Sequence, residues 1–381
     1  MKITLVTETF PPEINGVAMT LGRLVDGLVE LGQSMTVVAP QPQDRVVFKD
    51  NRYQLVPVPG WPIPRYPELR FGLPAKRKLS QRWRADRPDV IHVATEGPLG
   101  WSAISAARKA KIPVVSSFHT NFHAYGRHYG YGFMQDGIFR WLRSLHNRCL
   151  RTFVPSEEIR ESLLDKGVQN ISVLSRGVDS VLFGPHRRDP QLRRSWGASP
   201  SDPVAAYVGR LATEKNLDLV IEAYDTMRTS LPNLRLVLVG DGPARKALES
   251  ARQDIHFAGM QEGPRLAAHY ASADCFLFAS VTETFGNVVT EAMASGIPVL
   301  AYDYAAPAKF IEHGNNGLLV PFDNAGAFLD AARDMASVHN RWSEMGKSAR
   351  SVMLPHSWSN IVEGYLSELK TLTCKHKNHS F

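Results

Sequence analysis

The chain repeats one local pattern through both of its halves. A short, uniformly apolar run rich in β-branched residues is followed by a stretch with the spacing of an amphipathic helix, and then by another such run. That alternation builds parallel sheets covered by helices. In the first half strands are expected at residues 3–7, 34–39, 90–93, 114–118, 152–154 and 171–173, with helices over 18–31 and 102–109. The pattern restarts with strands at 204–208, 235–239, 255–258, 275–278, 298–301 and 317–320, and helices at 217–229 and 244–251. Most runs lack the polar alternation of a strand with one wet face, so both faces of each sheet should be covered. The expected fold class is α/β, with two doubly wound Rossmann-like domains. A length of 381 residues suits two cores better than one.

Turn formers crowd residues 180–202, in Phe183-Gly-Pro, Asp189-Pro and Gly197-Ala-Ser-Pro, and place a boundary there. The domains are expected at 1–183 and 184–355, with 356–381 a C-terminal helix and tail packing back toward the first. Open parallel sheets take ligands at the carboxyl ends of their strands, so two such sheets are expected to hold them in a central cleft.

Charge is divided unevenly. Residues 1–183 carry 24 Lys/Arg against 16 Asp/Glu, which leaves 20 against 21 of the chain's 44 and 37 for the remainder. The working surface of the first half is expected to meet something anionic, with lipid, nucleic acid and phosphorylated substrates all open on charge alone. The first residues break into Pro11-Pro12 before a leader core forms, and no apolar run approaches the ~18 residues of a spanning helix. A cytoplasmic protein is expected. Cys149, Cys275 and Cys374 lack metal or redox spacing and read as reduced thiols.

Candidate site residues follow strands. Glu283-Thr-Phe285-Gly286-Asn287-Val-Val-Thr-Glu291 comes after the strand at 275–278 and turns helical near Asn287, so its first amides form an anion-ready helix start. Glu283 is open to two readings, as a helix cap or as a ligand group, and so is Glu291, as a solvated carboxylate or a ligand group. Arg210 and Lys215, five apart after the strand at 204–208, can converge on one diphosphate or stand as surface cations. In Glu8-Thr-Phe-Pro11-Pro12-Glu13-Ile-Asn15-Gly16, Gly16 permits close approach of a ligand and opens a helix. Phe118-His119-Thr120-Asn121 ends a strand; His119 suits a polar substrate or a core hydrogen bond. His119 and His123 have a zinc-pair spacing without a third ligand, so no metal site is expected. Gly240-Asp-Gly242-Pro243 lacks the third glycine of a dinucleotide fingerprint and reads as a turn, with Pro243 starting a helix.

Taken together these residues resemble the family 4 retaining glycosyltransferases, whose two-Rossmann architecture is called GT-B. The likeness runs from Pro11–Val17 through Phe118-His-Thr, Val154-Pro-Ser156, Arg176-Gly-Val-Asp179, Val208-Gly-Arg-Leu211 and Gly240-Asp-Gly-Pro243 to the Glu-x7-Glu element at Glu283 and Glu291. It implies that Glu291 holds the donor ribose, Glu283 the hydroxyls of the transferred sugar, and Arg210 and Lys215 the diphosphate. Amides at Gly16, Phe285, Gly286 and Asn287 assist, Met260 lies by the base, and His119 contacts the sugar. No cofactor and no metal are implied beyond a UDP- or GDP-linked sugar. The leaving phosphate itself takes the acceptor's proton.

Within the family the chain looks most like bacterial GDP-mannose-dependent mannosyltransferases and the glycolipid and sulfoquinovosyl diacylglycerol synthases. A hexosyl group passing to a lipid hydroxyl is therefore expected, with a soluble saccharide acceptor as the alternative and nucleic acid dropped as a partner. An epimerase on the same architecture is opposed by the Glu-x7-Glu element. The segment from Arg127 to Arg151 carries five arginines and one acid among aromatics, and Trp61 to Arg84 repeats that chemistry. Both suit peripheral contact with an anionic membrane on its cytoplasmic face. One departure stands out. After the strand at 298–301, where many relatives place a glycine pair in the loop facing the phosphates, this chain has Tyr302-Asp-Tyr304-Ala-Ala-Pro307, bulk expected to reshape the sugar pocket.

Overall fold

The computed structural model describes residues 1–13, 16–41, 52–63, 66–119, 132–283 and 285–378. It divides into two compact units, Met1–Arg176 with Trp358–Phe381, and Gly177–Ser357. Val178 and Phe183 pack into the second unit's core, which draws the division back from 183 to Arg176.

The first unit is built on a seven-stranded sheet of β1 (Lys2–Val6), β2 (Ser34–Pro40), β3 (Gln54–Val58), β6 (Val90–Val93), β7 (Val114–Ser117), β8 (Arg151–Val154) and β9 (Ile171–Val173). Its order is β3-β2-β1-β6-β7-β8-β9, and every neighbouring pair is parallel. Alternate residues of the strands feed two cores. Ile3, Leu5, Met35 and Val37 pack with the helix Gly16–Glu30, whereas Val6, Val38, Ile91 and Val93 pack with the helices Lys76–Ala85 and Pro98–Lys109. Burial on both sides is why these strands read as continuous apolar runs. Val362, Tyr365, Leu366 and Leu369 of the last helix, Trp358–Asn378, join the first of these cores.

The second unit contains β10 (Val204–Val208), β11 (Arg235–Val239), β12 (His256–Gly259), β13 (Cys275–Phe278), β14 (Val299–Tyr302) and β15 (Gly317–Val320). They form one parallel sheet in the order β12-β11-β10-β13-β14-β15. In both sheets the order runs outward one way and then reverses, between β1 and β6 and between β10 and β13. Such reversals open crevices at the carboxyl edge, the usual ligand position in open α/β sheets.

Three strands lie outside the sequence expectation, and one helix starts later than expected. β3 carries Pro57, tolerated because β3 is an edge strand. β4 (Gly60–Ile63) and β5 (Tyr66–Gly72) form a separate antiparallel hairpin within a segment otherwise notable for aromatic and basic residues. The helix expected to start at Pro243 begins at Arg245, with residues 243–244 forming a turn before it.

Candidate active site

At the second unit's reversal, the loops after β10 and β13 meet. After β10 the chain passes Gly209 and Arg210 into a single 3-10 turn, Thr213–Lys215, closed by Asn216 at φ 54°. Main-chain hydrogen bonds lace this loop to its neighbours: Gly209 N donates to Val239 O (3.0 Å), Leu211 N to Asp241 O (2.9 Å) and Gly240 N to Gly259 O (2.9 Å). Gly240 takes φ 134° and lies against the Gly209 carbonyl, where any Cβ would collide. Glycine alone meets both demands. Arg210 stands exposed in this loop, with Tyr207 Oη donating to its carbonyl at 3.2 Å. Met260 is exposed just beyond β12.

Lys215 reaches across to the β13 loop. Its Nζ donates to Glu283 Oε1 at 2.6 Å, to Thr282 O at 3.0 Å and to Ser280 Oγ at 3.4 Å. Ser280 Oγ donates to the same Glu283 oxygen at 2.9 Å. Two donors, one of them charged, fix the direction of this carboxylate. Phe285 turns inward, edge-on to Phe310 with centroids 6.3 Å apart, so only its main chain is left to meet a ligand. Gly286 (φ 91°) leads into the helix Asn287–Ala294, which has no side-chain cap among the described residues and so keeps open first-turn amides. Glu291, one turn in, accepts from Tyr270 Oη at 2.9 Å. Tyr270 is fully buried, and burial, with Glu291 adding, lifts its phenol well above the ordinary range. Glu283 is thus paired with Lys215 and does not cap the helix, and Glu291 is held from below.

In the first unit, Gly16 opens the helix Gly16–Glu30, and the Arg176 guanidinium stands 3.4–3.5 Å from where a Cβ on Gly16 would lie. His119 follows β7 by two residues, and its buried Nε2 has no hydrogen-bond partner among the described residues. Burial above all lowers its pKa, to about 4; Glu96 opposes the shift, and Arg176 and His146 add to it. The imidazole is neutral at pH 7. Ser117 Oγ is 2.6 Å from His92 Nε2, and His92 Nδ1 is 2.9 Å from Tyr365 Oη. Thr20, Leu21, His92, Ser117, His119 and Trp358 help line a pocket here.

The first unit's own reversal holds Glu8. Its main-chain N–H donates to Thr95 Oγ1 at 2.9 Å, and its carboxylate accepts from Leu99 N, at the start of the helix Pro98–Lys109, at 3.3 Å. Burial pushes the Glu8 carboxyl up to about 7; the Leu99 amide opposes this and Glu96 adds to it. The sequence reading gave no role to Glu8 or Arg176. The available signal was position, since Glu8 follows β1 and Arg176 follows β9 at the carboxyl edge.

The basic, aromatic face is present in part. Trp141 is exposed and stacks on Trp101 with centroids 6.0 Å apart, and Arg148 lies 4.5 Å over Trp101. Trp61, Lys76, Arg77, Lys78 and Arg84 are exposed, whereas Leu142 and Leu145 pack inward. Asn15, Arg65, Thr120, Asn121, His123, Arg127 and Thr284 lie outside the described residues. Among the described residues no cluster of three or more His, Cys, Asp or Glu is placed to hold a metal ion, and no helix is long and apolar enough to cross a membrane.

With this geometry in view, comparison with known proteins is decisive. The chain matches Glycosyltransferase Family 4 over residues 14–181 and Glycosyl transferases group 1 over residues 188–352. A GDP-mannose-dependent alpha-mannosyltransferase of Mycolicibacterium smegmatis is 35% identical over 95% of this chain and 95% of its own. The chain belongs to glycosyltransferase family 4. A GDP-mannose-dependent alpha-mannosyltransferase of Mycobacterium tuberculosis is 33% identical to this family member over 98% of this chain and 97% of its own. The alpha-monoglucosyldiacylglycerol synthase of Acholeplasma laidlawii is 29% identical over 84% of each. Among solved structures, a glycosyltransferase of Rickettsia africae superposes with a TM-score of 0.77 at 16% identity, covering 97% of this chain and 98% of its own. HepE of Anabaena in complex with UDP gives 0.74 at 19%, covering 97% and 100%. The family member is a hexosyltransferase with the GT-B fold.

Proposed function

We propose that the enzyme moves a hexosyl group, with retention of configuration, from a GDP- or UDP-linked sugar to a hydroxyl of a lipid acceptor such as diacylglycerol or a glycolipid. GDP-mannose is the first donor to test, because two relatives at 33% and 35% identity, aligned over nearly their whole length, are named for it. The observation that carries the reading is the cluster of Lys215, Ser280 and Glu283 beside a helix start that has no side-chain cap among the described residues, at the second unit's reversal. A carboxylate fixed by donors offers its remaining lone pairs to sugar hydroxyls, while Lys215, Arg210 and the amides of Phe285, Gly286 and Asn287 balance the charge that grows on a departing diphosphate. Tyr270 steadies Glu291 for a ribose. In the first unit, Gly16 and Arg176 add a second cationic and amide-bearing edge, and His119, neutral at pH 7, hydrogen-bonds the sugar without taking its proton. The leaving phosphate receives the acceptor proton.

The lipid acceptor is supported by the exposed tryptophan and arginine face and by the diacylglycerol synthase relative. Contact with an anionic bilayer follows from the same face. The test is a panel of GDP- and UDP-sugars against lipid and soluble acceptors, in the presence of EDTA, reading nucleotide release, lipid product and product anomer. Glycosylation confined to soluble acceptors would refute the lipid reading, and a product of inverted configuration the retaining one.

A further inference from the structure

The loop after β14 departs from a glycine pair, and the structure gives its bulk a use. Tyr302 and Val320 are register partners on β14 and β15. Two residues beyond the end of each strand come Tyr304 and Phe322, whose rings lie 4.8 Å apart at 52°. Both are exposed, Tyr304 by 37% and Phe322 by 48%, whereas Tyr302 beneath them is buried at 2%. The pair therefore forms an aromatic step at the carboxyl edge of the sheet.

This step is fastened to the Glu283 loop. Tyr304 Oη donates to the Glu283 main-chain oxygen at 2.9 Å, and Ala306 N donates to Phe285 O at 2.8 Å. The Glu283 carboxylate is oriented by Lys215 and Ser280 while its main chain is gripped by the phenol. A carboxylate beside an aromatic wall is what a pyranose requires: hydroxyls to hydrogen-bond at its rim, and a C–H face to pack on a flat apolar surface. A glycine pair supplies no wall.

We infer that Tyr304 is a specificity-determining residue for the transferred sugar. Its ring, backed by Phe322, packs against the C–H face of an uncharged hexosyl ring whose hydroxyls Glu283 holds, and its hydroxyl keeps the Glu283 loop in register. The inference rests on the assignment of Glu283 to the sugar made above.

The experiment compares wild type, Tyr304→Phe and Tyr304→Ala. It measures kcat and KM for the best sugar nucleotide, the inhibition constant of the matching free nucleoside diphosphate, and the melting temperature. Tyr304→Ala is expected to raise donor KM about three- to tenfold, the scale of one aromatic contact. The diphosphate constant should change much less than donor KM, because the wall is assigned to the sugar ring and the phosphates to Lys215, Arg210 and main-chain amides. Tyr304→Phe keeps the wall and loses the grip, so kcat should fall by about three- to tenfold with KM unmoved. Phe322→Leu, which thins the backing, should raise KM by less than Tyr304→Ala. Unchanged donor KM in an active, well-folded Tyr304→Ala overturns the inference alone, as does a parallel rise in the diphosphate constant. A wild-type protein that neither binds nor turns over any sugar nucleotide overturns the reading of the site and this inference with it.

Discussion

Lys215 and Glu283 hold each other before any ligand arrives, and this makes their substitutions non-additive. The pair is 2.6 Å apart, with side chains only 19% and 16% exposed. Removing either partner leaves the other partly buried without its counter-charge. Lys215→Ala frees the Glu283 carboxylate to rotate about Ser280 alone; Glu283→Gln leaves the ammonium to Thr282 O and Ser280. Loss of one preorganised electrostatic contact costs roughly 10²–10³ in turnover, or about 3–4 kcal/mol. Independent residues would multiply those losses to roughly 10⁴–10⁶ in the double variant. A unit broken by the first substitution loses little more at the second, so the double variant is expected near 10³, a coupling of about 3 kcal/mol. The assay is kcat/KM for nucleotide release by wild type, the two single variants and the double variant, with binding of the free nucleoside diphosphate measured in parallel. Lys215→Ala should weaken that binding and Glu283→Gln should not, because the proposal assigns only the ammonium to the diphosphate. A multiplicative double variant would show that the contact is incidental, and near wild-type turnover in either single variant would remove both residues from the site.

Gly240→Ala should destabilise the second unit by about 3 kcal/mol or more, since the Cβ meets the Gly209 carbonyl at a positive φ; a melting temperature within 2 °C of wild type would refute the packing described, by the usual scale of about 2–4 °C per kcal/mol. Glu8 binds its proton more tightly folded than unfolded, so its burial costs stability as pH rises from about 4.5 through about 7. Glu8→Gln removes that cost, and its gain over wild type in urea unfolding should be about 3 kcal/mol larger at pH 8 than at pH 4.5. His92 has the opposite sign: burial, with His119 adding, lowers its pKa to about 3, so the unfolded chain takes up the proton first and stability falls as pH drops below about 6.5. His92→Gln should spare the first unit about 2 kcal/mol of the loss between pH 7 and pH 5, and an unchanged acid slope would contradict its neutral, buried state.

Local pattern reached most of the strands because each is a short run dominated by apolar, often β-branched residues, with the few polar ones, such as Thr4, His92 and Ser116, buried among them; Val204–Val208, buried throughout, was legible to the residue. β3 was not, because Pro57 argues against a strand everywhere except at an edge, and edge position is a property of the whole sheet. The same limit governs the site. The run from Glu283 to Glu291 could be read as a loop entering a helix, since its spacing is local. That Lys215 meets Glu283 68 residues away, or that Tyr270 lies beneath Glu291, depends on β13 lying next to β10, and strand order is not written in the periodicity of either strand. Glu8 and Arg176 escaped for the same reason, being ordinary polar residues until the sheet places Glu8 at a reversal and Arg176 against Gly16.

The paired carboxylates also say what kind of chemistry the site is arranged for. A hydrolase divides two carboxyls into an acid and a base by giving them different surroundings. Here both are acceptors of donated hydrogen bonds, Glu283 from Lys215 and Ser280 and Glu291 from Tyr270. His119, in the first unit, is kept neutral by burial. Groups arranged in this way orient hydroxyls and balance a departing anion, and they do not shuttle protons. A transfer in which the leaving phosphate takes the acceptor's proton needs no more from the protein than that. It follows that pH between 6 and 8 should change the rate through the substrates' phosphates more than through His119, and a rate profile over that range that is abolished by His119→Gln would contradict this account.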